Sequence, residues 1–255
     1  MRRKLSDYVD KVYIINLLPR EDRRHFMIEQ LKELGFYDDL MLRNKLEIVD
    51  AVKLPGFNDE VLKTFNEENH SRIGTTGLYF CATEHYRILK RALYYGYEKI
   101  LILEDDACFY KDTDKLFDAL DSAPSDFNIL HIEGYYYPDN LFPTESDWLS
   151  VLSDDVNSAK WLPHKDFKLW AAAALIYSKQ GMEEIVREQE RIFSGSDIPT
   201  FFAEKNCYFY TYPLIIQENK DILSSDITKY VKGASSTNIY ERKIDRNDYY
   251  KITDF

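Results

Sequence analysis

Lys99-Ile100-Leu101-Ile102-Leu103-Glu104-Asp105-Asp106 is the stretch on which the reading of this chain turns. Four consecutive apolar residues, two of them β-branched, make a run too short for a helix and too apolar to face water. It reads as a strand buried on both faces. Such strands belong to mainly parallel sheets covered by helices on both sides. Ligands bind beyond the carboxyl ends of the strands in sheets of this kind. This strand runs without a spacer into three carboxylates. Adjacent anions are costly to bury without a counter-charge. A divalent cation supplies one, and oxygen ligands suit manganese or magnesium. Alternation along a strand places Glu104 and Asp106 on one side, as metal ligands, and Asp105 on the other. The competing reading is a solvated acidic turn that caps the next element.

The flanking sequence supplies the rest of the sheet. Residues 12–17, Val-Tyr-Ile-Ile-Asn-Leu, form a first strand, stopped by Pro19. A helix follows from about Glu21, with Phe26, Met27, Leu31 and Leu34 near one face and Gly35 as its stop. Residues 46–52 read as a second strand, and Pro55-Gly56 as a turn. Thr75-Thr76-Gly77 opens the clearest helix, in which Leu78, Cys81, Ala82, His85, Leu89, Ala92 and Leu93 keep helical spacing until Gly96. Beyond the acids come a short helix at 114–120 and a strand at 127–132. An irregular, Pro-interrupted stretch at 135–168 has the length of a functional loop. Residues 171–177 are apolar, Ser178 caps a helix through Arg191, and 207–216 reads as a last strand. Strand and helix alternate without a repeat or a low-complexity linker, so the expectation is one α/β domain over 1–255 with a polar tail from about 229.

Composition narrows the partners. The formal net charge is -11, which disfavours nucleic acid as a partner, because phosphate contacts need a basic surface, and disfavours broad adsorption to an anionic membrane. The basic start, Met1-Arg2-Arg3-Lys4, leaves a local peripheral membrane contact open beside the alternative of a solvated terminus. The opening residues lack the apolar core of a secretory signal, and no stretch approaches the roughly 20 apolar residues of a transmembrane segment. Cys81, Cys108 and Cys207 are too few and too scattered for a disulfide framework, which points to a reducing, cytoplasmic compartment. Twenty tyrosines suit either the flat faces of sugars and nucleobases or a Tyr-rich core.

Four stretches, in order, resemble glycosyltransferase family 25, which includes bacterial lipooligosaccharide and collagen galactosyltransferases. They are VYIINLLPREDRR with Ile15, Asn16, Leu17, Arg20, Asp22 and Arg23; GTTGLYFCATEHYRILKRAL with His85; ILILEDDA; and a C-terminal group of KLWAAAALIYSKQGMEEIV, SDIPTFF and YPLIIQENKDILSSDI. The resemblance spans roughly residues 12–228. It departs at Gly74-Thr75-Thr76-Gly77, where the family usually has Gly-Glu-Ile-Gly; at Glu84, where it usually has Ser; and at Trp170 to Ala174, in place of a small Gly-Thr segment. It implies an α/β fold of GT-A type, a nucleotide-binding sandwich around a mainly parallel sheet. It also implies an inverting transfer, usually from UDP-galactose.

Each candidate residue carries two readings. Arg20 and Arg23 present the planar fork that binds phosphate, with Asn16 and Asp105 beside them on the donor side; otherwise they are helix surface charge, with Asp22 favourable near a helix start. His85 is a core histidine or a donor contact. Asp197, in Gly195-Ser196-Asp197-Ile198-Pro199, is the general base for the acceptor hydroxyl or a turn residue. Tyr135, Tyr136 and Tyr137 stack on an acceptor sugar or pack a loop base. Gln217 and Asp226 match the family's end pattern without a defined role. The expected reaction takes a UDP-sugar donor and a glycan or glycolipid acceptor, with no nucleic acid involved. A glycoside hydrolase needs two carboxyl groups flanking the bond rather than adjacent acids. The remaining alternative is a non-catalytic nucleotide-sugar or carbohydrate-binding module of the same fold.

Overall fold

The computed structural model describes residues 3–69, 71, 73–133, 152–164, 172–193, 205–217 and 245–254. In these residues the strands are β1 (Lys11–Leu17), β2 (Leu46–Ala51), β3 (Lys99–Glu104), β4 (Ala107–Phe109), β5 (Ile129–His131), β6 (Trp161–Pro163), β7 (Ala174–Ser178), β8 (Cys207–Tyr210) and β9 (Ile215–Gln217). The α-helices are α1 (Glu21–Glu33), α2 (Tyr37–Leu42), α3 (Asp59–Asn69), α4 (Thr76–Tyr94), α5 (Thr113–Asp121) and α6 (Lys179–Arg191). Seven strands make one sheet in the order β2-β1-β3-β7-β5-β8-β6, and β4 and β9 pair separately. From the pairing directions, β2, β1, β3, β5 and β8 point one way, while β7 and β6 run against them. The fold is mixed α/β with a large, mostly parallel central sheet.

Strand alternation divides the core in two. Val12 and Ile14 of β1, Leu101 and Leu103 of β3, and Ala174 and Ile176 of β7 pack with Phe26, Met27 and Leu31 of α1 and with Leu116, Phe117 and Leu120 of α5. Their neighbours Tyr13, Ile15, Ile100, Ile102, Leu175 and Tyr177 pack with Ile88, Leu89 and Ala92 of α4 and with Met182 and Val186 of α6. Helices therefore cover both faces, and β3 is apolar at every interior position because it has no solvent face. Helix ends follow local chemistry. Thr75 caps α4 by accepting from Leu78 N, and Ser178 caps α6 by accepting from Gly181 N at 3.1 Å. Gly35 and Gly96 take positive φ just past α1 and α4.

The C-terminal part departs from the sequence reading. The expected single strand over 207–216 is two, β8 and β9, in different sheets. Pro213 lies between them; it has no N–H for a ladder and forces a break. Within the stretch expected to be irregular, β6 pairs antiparallel with β8. The polar end of the chain holds a buried anchor: Tyr249 is fully buried, and its hydroxyl donates to Pro213 O at 2.6 Å. At the other end, Arg3 pairs with Asp114, Asp118 and Asp121, and Lys4 with Asp39. Among the described residues no helix is long and apolar enough to cross a membrane. Asp197, Tyr135, Tyr136, Tyr137 and Asp226 lie outside the described residues.

Candidate active site

Parallel pairing sets Ile15 of β1 opposite Glu104 of β3, so both strands end at one edge of the sheet. β3 stops at Glu104, residues 105–106 form a turn, and β4 begins at Ala107. Strand alternation accordingly ends before the second acid, and the three carboxylates do not divide as a continuing strand would divide them. Asp105 and Asp106 both meet α1, whereas Glu104 meets α4.

On the α1 side, Arg23 Nη1 donates to Asp105 Oδ1 at 2.8 Å and to Asp106 Oδ2 at 3.1 Å. Asp105 Oδ2 also accepts from the Leu17 amide at 3.0 Å. Burial works against the Arg23 charge, but Asp106 and Asp105 outweigh it and hold its pKa above the usual value. Asp106 Oδ1 is buried with no hydrogen-bond partner. Burial, opposed by Arg23 and reinforced by Glu104 and Asp105, pushes the Asp106 carboxyl up to about 7. Burial also raises Asp105. Gln30, buried on α1, locks the turn from below by donating to Ala107 O at 2.7 Å and accepting from Phe109 N at 3.1 Å.

On the α4 side, Glu104 Oε1 accepts from the Cys81 thiol at 3.1 Å and lies 3.7 Å from His85 Nε2. Gln217 Nε2, at the end of β9, donates to Glu104 Oε2 at 3.4 Å. Burial tends to raise the Glu104 pKa, but His85, Cys81 and Arg23 together bring it below the ordinary value. His85 is buried, as its place on the apolar stripe requires, yet neither ring nitrogen has a hydrogen-bond partner. It is not the hydrogen-bonded core histidine that helical spacing alone suggests.

A fourth carboxyl was missed in the sequence. Glu133, two residues past β5, is 1% exposed. Its Oε2 accepts from Ala174 N at 3.1 Å, next to the Ala173 carbonyl that receives the Glu104 amide, and its Oε1 has no partner. Burial, then the charges of Glu104 and Asp106, drive its pKa well above the ordinary value. The available signal was His131-Ile132-Glu133, an acid directly after a short apolar strand, the same signature as at Glu104. Of these four buried or half-buried carboxyl groups, Asp105 and Asp106 pair with the Arg23 guanidinium, and Asp106 Oδ1 and Glu133 Oε1 have no donor. Among the described residues, the group of three side chains close enough to hold a metal together is Cys81, His85 and Glu104 rather than the acids alone.

The other candidates sit at the rim. Asn16 is buried where β1 ends; its Nδ2 donates to Leu17 O at 3.2 Å and its Oδ1 has no partner. Arg20 turns to Asp22 through two hydrogen bonds of 2.9 and 2.8 Å instead of joining Arg23 on the acids.

The chain is also similar to known proteins. Residues 9–160 match the sequence profile of glycosyltransferase family 25, described as an LPS biosynthesis protein. That match covers more than half of the chain: the protein belongs to glycosyltransferase family 25. Human procollagen galactosyltransferase 2 is 30% identical over 127 residues, 48% of this chain and 20% of the relative. A glycosyltransferase 25 family member from Aedes aegypti is 32% identical over 109 residues, 40% of this chain and 17% of the relative. The aligned region thus spans about a fifth of these relatives. Among solved structures, the mannose-1-phosphate geranyltransferase of Thermus thermophilus superposes with a TM-score of 0.37 at 12% identity, over 80% of this chain and 74% of that one. A similarity that weak assigns nothing.

Proposed function

We propose that this chain moves a hexose, galactose foremost, from a UDP-sugar donor to a hydroxyl of a carbohydrate or glycolipid acceptor, with inversion, on a GT-A type sheet. One observation carries the reading: Asp106 Oδ1 and Glu133 Oε1 are buried without partners at the strand edge where Arg23 sits. Such an edge suits a sugar diphosphate held with a divalent cation. Asp106 and Glu104 are the proposed ligands for manganese or magnesium. A cation held there would neutralise the charge that grows on the departing diphosphate. Arg23 fixes Asp105 and so sets the turn that presents Asp106. Arg20, at the rim, offers its planar fork to a phosphate on release from Asp22, which holds it here, and Asn16 offers an amide. Asp197 takes the proton of the acceptor hydroxyl, whose oxygen attacks the anomeric carbon as the bond to the diphosphate breaks. Relatives named for procollagen galactosyl transfer favour galactose, and the family's description favours a lipid-linked glycan acceptor. None of the three cysteines forms a disulfide, which suits a cytoplasmic setting.

A thermal-shift screen of UDP-galactose, UDP-glucose and UDP-N-acetylglucosamine, each with and without manganese, tests this directly, because a ligand of the native state raises the melting temperature by mass action. The expected result is a shift that requires both UDP-galactose and manganese, with release of UDP on adding acceptor. Full turnover in excess chelator would overturn the metal role. Asp197→Asn is expected to keep donor affinity and slow transfer by roughly 100-fold; an unchanged rate moves the base to another acid.

A further inference from the structure

We propose that Cys81, His85 and Glu104 form a binding site for a transition-metal ion of zinc type, on the opposite side of the β3 terminus from Arg23. The inference meets the proposed function at one point, since Glu104 belongs to both ligand sets.

The three residues come from two elements that the fold holds rigidly together. Cys81 and His85 are four residues apart on α4, so they lie one above the other on one helix face, and that helix packs on β3 through Ile88, Leu89 and Ala92. Glu104 arrives as the last residue of β3. Sγ, an imidazole nitrogen and a carboxylate oxygen all lie within 4.8 Å of one another. The separations from Glu104 Oε1 are 3.1 Å to Sγ and 3.7 Å to Nε2. Bond lengths of about 2.3 Å to sulfur and about 2.0–2.2 Å to nitrogen and oxygen, at tetrahedral angles, require ligand-to-ligand edges of roughly 3.4–3.6 Å. The separations from Glu104 lie within about half an ångström of those edges, and the sulfur-to-nitrogen edge, no longer than 4.8 Å, closes by at most about 1.3 Å.

A second observation points to a ligand. His85 is 2% exposed and both its ring nitrogens lack a hydrogen-bond partner, a costly state for a buried imidazole. An ion on Nε2 relieves half of it. The ligand set also selects the ion. A thiolate with an imidazole favours zinc and its neighbours, whereas magnesium prefers oxygen alone. Cys81 is partly exposed and the Glu104 side chain is 20% exposed, so an ion enters from solvent and keeps an open coordination position, as three-ligand zinc sites do. Gln217 holds the second oxygen of Glu104, the kind of support that orients a metal ligand. Binding displaces the Cys81 thiol proton to water.

Cobalt(II), added to the chelator-stripped full chain, reads the site without donor or acceptor. The expected result is an intense near-ultraviolet thiolate-to-cobalt band that saturates stoichiometrically, is bleached by zinc and is indifferent to magnesium. Cys81→Ser should remove the band. Should that variant fail to fold, zinc-edge X-ray absorption of the unaltered chain answers instead, expecting one sulfur at about 2.3 Å. Cobalt bound with no charge-transfer band, a band that survives Cys81→Ser, or zinc surrounded by oxygen and nitrogen alone would overturn the proposal and leave a hydrogen-bonded thiol. Transfer activity in a chain that shows no band overturns this site alone. A band in a chain that transfers nothing supports this site and counts against the proposed function alone.

Discussion

Asp106 and Glu104 lie two residues apart and meet different chemistry. Asp106, with Asp105, has a guanidinium against it and a free-standing buried oxygen. Glu104 has a thiol, an imidazole and an amide. The cause is local: β3 ends at Glu104, the turn at 105–106 swings the next two side chains toward α1, and Glu104 stays under α4. A three-residue acidic run is therefore two half-sites. One is hard and pre-neutralised by a fixed cation; the other is mixed and lacks a fixed positive charge of its own.

Removing the fixed cation is the most severe test of that contrast. Arg23 and its two partners are nearly enclosed, with side chains 16%, 7% and 17% exposed. Arg23→Ala leaves two buried acids unpaired, at a cost of about 3–5 kcal/mol. For a chain of this size that lowers the melting temperature on the order of 10 °C. Manganese should restore part of the loss, and adding Asp105→Asn should restore more. A fall of only about 2 °C would mean that water already screens the pair. Next in size, Asp106→Ala is expected to cut transfer by about 10²–10³-fold, the range for losing one preorganised electrostatic contact, with an unchanged circular dichroism spectrum. Normal turnover there would place the chemistry elsewhere. On the other side, Gln217→Ala removes only a supporting contact. Zinc affinity, read by calorimetry, should fall by about 10–100-fold, and manganese affinity by less, because Asp106 also holds that ion. Equal losses for both metals would erase the distinction between the half-sites.

The sequence disclosed the two sides unequally. The apolar run at Ile100–Leu103, the stripe of Phe26, Met27 and Leu31, and the caps at Thr75 and Ser178 each repeat a local rule, so β1, α1, β2, α4, β3, α5, β5 and α6 were legible from spacing alone, whereas α2, α3 and β4 were not read. The strand at 207–216 was not, because its strand-forming residues, aromatic up to Tyr212, run on past Pro213 as Leu214, Ile215 and Ile216, and the missing ladder donor shows only when a partner strand is present. Arg20 and Arg23 looked equivalent. They differ because Arg20 can reach Asp22 two residues away, which leaves Arg23 to turn inward. Cys81 and His85 carried a visible four-residue spacing, but their third partner sits on another element, and no local pattern joins them. Glu133 was hidden for the same reason: it reaches the site only because β5 lies beside β7 and β7 beside β3.

The finest expected difference is in pH dependence, and it tests whether Asp106 waits for a cation. Burial lifts its carboxyl from an ordinary 3.8 to about 7 in the folded chain. Between those values the folded state holds a proton that the unfolded state has lost. Stability rises with pH only where the unfolded chain binds more protons, so here the sign is reversed. The contribution of this group is whole below about pH 4 and is lost as pH climbs through about 7. Asp106→Asn cannot titrate, so in chelator it should gain on the unaltered chain as pH rises. The gain in melting temperature should be near zero at about pH 4 and grow steadily as pH climbs through about 7. Manganese should invert the order at about pH 8, because the ionised carboxylate then has its counter-charge and the amide does not. A difference that stays constant across this range, or one that manganese leaves alone, would show that Arg23 already satisfies Asp106 and that the hard half-site is structural.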